Sequence, residues 1–185
     1  MGEDELVLIR KSLEGDKDAW GEIVKRYKVS VFGIALGILG NPADAEDAAQ
    51  DAFIRAYQAL HTFHLDKRFS TWIFTITANL CKNKLRRDRL FAPLKYVTRA
   101  TKSHHNPEAR LIEDERIQTM REALDQLSPK YRMPLVLRYY GDLEYKDIAE
   151  MLQVPEGTVK TRIHRAKSEL KKLLEKKGVI GRART

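Results

Sequence analysis

Apolar residues recur at helical spacing along most of this 185-residue chain, and the pattern lapses over one long stretch, residues 91–106. A period near 3.6 that persists on both sides of an aperiodic segment predicts an all-α fold of two small helical domains joined by a flexible linker. In the first block Trp20, Ile23, Val24, Tyr27, Val31 and Ile34 fall on one stripe before Gly40-Asn41-Pro42 breaks the chain. Phe53, Ala56, Tyr57 and Leu60 mark the next helix, whose acidic first turn suits the positive end of a helix dipole. A longer helix spans about Phe69 to Arg89, and a short one, Glu3 to Leu13, precedes the rest.

The stretch 91–106, FAPLKYVTRATKSHHN, mixes Pro, Ser, Thr and His without periodicity. Sixteen residues extended at ~3.3 Å each reach about 53 Å. That length matches roughly fifteen base pairs of duplex at ~3.4 Å per pair. Beyond it, Leu111, Ile112, Ile117, Met120, Leu124 and Leu127 predict a helix from Pro107 onward, and Ser128-Pro129 supplies an N-cap and first-turn pair for a helix reaching Tyr139. Pro134 lies inside that helix and removes one backbone hydrogen bond. Gly141-Asp142 closes it; a short helix, Glu144 to Leu152, a Gln153-Val154-Pro155 turn and a long helix to about Lys176 follow. The chain thus divides into a domain at 1–90, a linker at 91–107, a domain at 108–177 and a basic tail at 178–185.

Composition narrows the function classes. With 43% hydrophobic and 32% charged residues, the chain can fill cores but carries too much charge for a membrane-embedded protein. Its longest uncharged run, the fifteen residues Val29 to Ala43, falls short of the about 20 that a membrane span needs. The acidic start, Met1-Gly2-Glu3-Asp4-Glu5, lacks the basic character of a secretory signal, so a cytoplasmic location and no membrane insertion are expected. Cys81 is the sole cysteine and the five histidines are scattered, so no disulfide, metal site or cofactor is expected. No nucleophile–base pair or phosphate loop is visible, and enzymatic activity is not expected.

Thirty-four basic residues against 26 acidic ones give a net charge of +8, and residues 153–185 alone hold ten bases and three acids. A short amphipathic helix, a tight turn and a basic helix are the parts of a helix-turn-helix. Counting 100° per residue from Val159, the apolar Ile163, Ala166, Leu170, Leu173 and Leu174 fall between about −40° and +60°. The opposite side carries Gly157, Lys160, Thr161, His164, Arg165 and Ser168, with Thr158 at the helix start. These side chains can donate to phosphates or base edges, and the local basic surplus favours DNA over a merely solvated face. His164 has no His or Cys at ligand spacing and is read as a groove-facing donor.

The helix from Phe69 to Arg89 holds a second polar arc: Thr75, Asn79, Lys82, Asn83 and Arg86, centred on Trp72. Amides can read base edges, cations can hold phosphates and an indole can stack on an unpaired base. On the residues alone, that reading weighs equally with one in which the asparagines are merely solvated and Trp72 is half buried. Asp44, Asp47 and Asp51 share one helix face with Gln50 alongside, which by itself reads as favourable charge at a helix N-terminus.

Three segments together, DAEDAAQDAFIRAYQAL (44–60), RFSTWIFTITANLCKNKLRR (68–87) and LEYKDIAEMLQVPEGTVKTRIHRAKSEL (143–170), resemble the extracytoplasmic-function (ECF) sigma factors of bacterial RNA polymerase. The resemblance covers nearly the whole chain and implies sigma domains two and four. It implies that Asp47, Gln50 and Asp51 dock the clamp coiled coil of the polymerase β′ subunit. Trp72, Thr75, Asn79, Lys82, Asn83 and Arg86 would meet the melted minus-10 strand, and the loop His61 to Arg68 would pocket a flipped-out base. Gly157, Thr158, Lys160, Thr161, His164, Arg165 and Ser168 would read the minus-35 duplex, and domain four would also touch the β flap. An anti-sigma factor is the regulator implied. Housekeeping sigma factors have adjacent tryptophans where this chain has Thr75 and Ile76, which implies a narrower promoter choice. Two other readings stand beside it: a helix-turn-helix regulator that acts without polymerase and pairs on half-sites, and a helical enzyme acting on nucleic acid.

Overall fold

A computed structural model describes residues 3–90 and 115–178. They form eight α-helices: α1 (Glu3–Leu13), α2 (Lys17–Leu39), α3 (Pro42–Gln58), α4 (Phe69–Leu90), α5 (Glu115–Gln126), α6 (Pro129–Tyr139), α7 (Tyr145–Leu152) and α8 (Glu156–Lys176). A 3-10 turn, Leu60–Thr62, follows α3, and no strand occurs among the described residues. The linker, the helix start at 107–114 and the basic tail lie outside the described residues, apart from Gly178.

Local chemistry sets the boundaries. Asp16 caps α2 by accepting hydrogen bonds from the Asp18 and Ala19 amides at 2.9 and 3.0 Å. Gly40 ends α2 at φ 75°, a left-handed conformation that favours glycine, and donates to the Leu36 carbonyl. Asn41 then accepts from the Asp44 amide at 3.0 Å, and Pro42 occupies the first turn of α3. The Gly-Asn-Pro break is therefore one C-cap joined directly to one N-cap. Ser128 occupies the N-cap position of α6 without a side-chain capping bond, and α6 continues through Pro134.

In the first domain α2 packs against α1, α3 and α4. Of the sequence stripe on α2, Ile23, Val31 and Ile34 are buried, while Trp20, Val24 and Tyr27 are half-buried. The inward seam of α3 is five alanines, Ala45, Ala48, Ala49, Ala52 and Ala56, rather than Phe53 and Tyr57, which lie at its margins. Small side chains there let α3 approach α2 and α4 closely. In the second domain α8 packs against α5, α6 and α7 around Leu137, Leu143, Ile148, Val159 and Ile163. Ile117 and Met120, expected on the inward stripe of α5, are exposed, because the inward seam is carried by Ala123, Leu124 and Leu127. The two domains also touch: α2 meets α5 and α6, α4 meets α7, and one apolar cluster runs through both.

Candidate nucleic-acid interface

The helix-turn-helix is α7, a three-residue turn and α8. Gln153 ends α7 in the left-handed region at φ 55°, the Val154 amide donates to the Ala149 carbonyl at 3.0 Å, and Pro155 leads into α8. Arg138 braces the approach to α7 by donating to the Leu143 carbonyl at 2.9 Å and lying 5.4 Å from the Tyr145 ring centre. On α8, Val159, Ile163, Ala166 and Leu174 are buried, Leu170 and Leu173 half-buried. Gly157, Lys160, Thr161, His164, Arg165 and Ser168 are exposed together on the far side, with Thr158 half-buried beside them. Lys160 pairs with Glu156 at 2.9 Å, a hydrogen bond that raises its pKa.

The structure adds residues that the sequence reading did not include. Lys130, Tyr131 and Arg162 line an open cleft of about 380 Å³ together with Gly157, Thr158, Thr161 and Arg165. Arg165 reaches the Tyr131 hydroxyl at 3.5 Å, which lowers the pKa of that phenol. Three cations and no carboxylate line the cleft, so it suits a phosphate path. The available signal was Lys130-Tyr131 directly after the Ser128-Pro129 start of α6, where a cation opposes the helix dipole and needs another purpose.

On α4, Asn79, Lys82, Asn83 and Arg86 are exposed along one ridge. Thr75 is half-buried and returns its hydroxyl proton to the Thr71 carbonyl at 2.7 Å. Trp72 stands at the centre of this arc by angle. It is half-buried, with ring centres 5.3 Å from Phe63 and 5.5 Å from Phe69, because Phe63 folds back onto α4 after the 3-10 turn. The same turn leaves His61 and His64 exposed, and Arg68 faces a mixed-charge cleft of about 520 Å³ shared with Arg138, Tyr145 and Glu156.

The acidic face of α3 divides in two. Asp44 pairs with Lys84 of α4 at 2.8 Å, a hydrogen bond that raises the lysine pKa, and so ties the helices together. Asp47, Gln50 and Asp51 remain exposed, and Ile54, 55% exposed, sits one turn beyond them. An apolar residue rimmed by carboxylates suits a basic partner with an apolar contact at its centre. Cys81 is buried, and burial pushes its thiol up to about 12. No helix among the described residues is long and apolar enough to cross a membrane.

Two family profiles match this chain: sigma-70 region 2 over residues 23–91 and sigma-70 region 4 over residues 117–170. Over 176 residues it is 36% identical to the ECF RNA polymerase sigma factor SigW of Bacillus subtilis, covering 90% of this chain and 94% of the relative. It is 34% identical to the RNA polymerase sigma-H factor of Pseudomonas aeruginosa, covering 94% and 95%. Among solved structures, CnrH in complex with the cytosolic domain of CnrY superposes with a TM-score of 0.69 at 25% identity, over 94% of this chain and 98% of that one. The sigma factor RpoE of Bartonella quintana, in complex with the anti-sigma factor NepR, shares the fold at a TM-score of 0.71 and 24% identity, over 84% of this chain and 96% of that one.

Proposed function

This chain belongs to the extracytoplasmic-function RNA polymerase sigma factors, and from that premise we propose how its surfaces divide the work of promoter recognition. The division is a domain two at 1–90, a linker at 91–107, a domain four at 108–177 and a basic tail at 178–185. The α8 face, Gly157, Thr158, Lys160, Thr161, His164, Arg165 and Ser168, reads the minus-35 element as duplex, while Lys130 and Arg162 hold its backbone phosphates. The α4 ridge, Asn79, Lys82, Asn83 and Arg86, follows the melted minus-10 strand. Trp72 and Thr75 support that ridge from its half-buried edge, and the His61 to Arg68 loop takes a flipped-out base. Asp47, Gln50 and Asp51, with Ile54, dock the β′ clamp coiled coil, and domain four contacts the β flap.

The observation that carries this reading is a pair of exposed polar ridges, one on each domain, each backed by a buried apolar face. A helix with amides and cations on its wet side fits an unpaired strand, and a helix-turn-helix fits paired DNA. Strand opening is then driven by the binding of unpaired bases, with no catalysis by this chain. The protein works in the cytoplasm, where polymerase and template are. An anti-sigma factor regulates it; support comes from CnrH, a relative solved with a protein partner, the cytosolic domain of CnrY.

Runoff transcription with core polymerase and a genomic promoter library tests the proposal. Core-dependent transcripts from a defined promoter class are expected, with loss of output from the Asn79→Ala, Asn83→Ala double variant. Duplex binding of equal strength and selectivity without core would instead identify a regulator acting alone.

A further inference from the structure

The first helix carries a carboxylate into a place that an apolar side chain could fill as well. Glu5 of α1 is 7% exposed, one turn before the fully buried Ile9, and accepts a hydrogen bond of 2.5 Å from the Tyr27 hydroxyl of α2. Arg26 is exposed, with its Nη1 3.8 Å from the same carboxylate oxygen. A buried carboxylate and phenol add little stability over two hydrocarbon side chains of similar volume. What a satisfied polar pair secures is one orientation of the groups that carry it. Burial first, and then the bond to Glu5, hold the Tyr27 phenol far above its ordinary pKa, so its hydroxyl is a permanent donor.

The ring that this bond orients is packed against the anchors of the His61 to Arg68 loop. Phe69 is the hub: its ring centre lies 5.3 Å from that of Tyr27, 5.4 Å from Phe63, 5.5 Å from Trp72 and 6.5 Å from Trp20. Phe63 and Phe69 are both buried and meet edge to face, which brings the two ends of residues 64–68 together. Between them the Lys67 amide donates to the His64 carbonyl at 2.9 Å, and His64, Asp66, Lys67 and Arg68 are exposed. The loop thus hangs on two rings, one of which rests on Tyr27. Arg68, at its end, also acts electrostatically on the Tyr27 phenol, opposing the effect of Glu5.

We propose that Glu5 and Tyr27 are positioning residues for base capture: their hydrogen bond sets the Tyr27 ring, that ring sets Phe69, and Phe69 with Phe63 sets the loop that takes the flipped-out base. The chain of contacts stands on the packing, and its consequence for DNA rests on the role given to the loop above.

Reconstituted holoenzyme and single-stranded minus-10 oligonucleotides, each lacking one base in turn, test the proposal by fluorescence anisotropy. In the wild type one missing base should weaken binding more than any other. Tyr27→Phe, which keeps the ring, should bind the intact strand roughly 2- to 13-fold more weakly, the scale of one hydrogen bond. That deficit should vanish on the strand lacking the captured base and persist on every other strand. Glu5→Leu should behave in the same way, and Glu5→Gln, which keeps an acceptor, should stay near the wild type. Ile9→Val, on the same face of α1, should leave the pattern unchanged. Should Tyr27→Phe lose its helical circular dichroism, Glu5→Leu carries the test. A wild type indifferent to every missing base would strike the loop pocket and the positioning together. A wild type with such a base, and variants whose deficit is equal on intact and abasic strands, would overturn the positioning alone.

Discussion

On the function proposed above, the cleft between α6 and α8 divides residues that would hold DNA from residues that would read it. Lys130 and Arg162 line it alongside Arg165, while Arg165 also belongs to the exposed face with Lys160, Thr161 and His164. A cation that only neutralises a phosphate releases counterions, and its removal flattens the dependence of log K on log salt by about 0.9 for duplex DNA. Between 0.05 and 0.2 M salt, one such contact makes the ratio of wild-type to variant affinity fall by about 3.5-fold. Lys130→Gln and Arg162→Gln should each show that convergence, equally on a minus-35 duplex and on a scrambled one. Arg165→Ala should instead lose roughly 5- to 150-fold on the specific duplex, with the loss shrinking on the scrambled one. The measurement is fluorescence anisotropy of reconstituted holoenzyme on labelled upstream duplexes across a salt series, in which contributions from polymerase cancel between variants. Unchanged slopes for both glutamine variants would mean that the cleft is not a phosphate path. A uniform loss for Arg165→Ala would demote it from reader to holder.

Three further outcomes follow from surfaces and burial. Asp47→Lys with Asp51→Lys should abolish capture by core polymerase in a pull-down while the circular dichroism spectrum is unchanged, since both carboxylates are exposed and away from the α3 seam. Cys81, with its thiol raised to about 12 by burial, should resist an aromatic disulfide reagent at pH 8 and react only as the chain unfolds. Prompt reaction of the native protein would contradict its burial. Ala52→Leu, at a fully buried position on the α3 seam, should cost about 1–3 kcal/mol in urea unfolding through overpacking; a variant as stable as wild type would mean that α3 does not approach its neighbours this closely.

Element type and order were legible because punctuation in this chain is unambiguous. The Gly40-Asn41-Pro42 sequence cannot continue a helix and can both end one and start one, so its place was set by three residues. The α8 faces were legible too, since a 21-residue helix repeats its pattern over nearly six turns. Burial at the margins was not. Trp72 sits at the centre of the wet arc of α4 by angle alone; its half-burial depends on Phe63, nine residues earlier and beyond a 3-10 turn that periodicity cannot place. Lys130 and Tyr131 belong to the cleft only because α6 lies across the start of α8, a tertiary fact with no local pattern. The glycines of α2 did carry a signal, their i, i+4, i+7 spacing, yet a sequence shows that a face is cut back without showing what fills it.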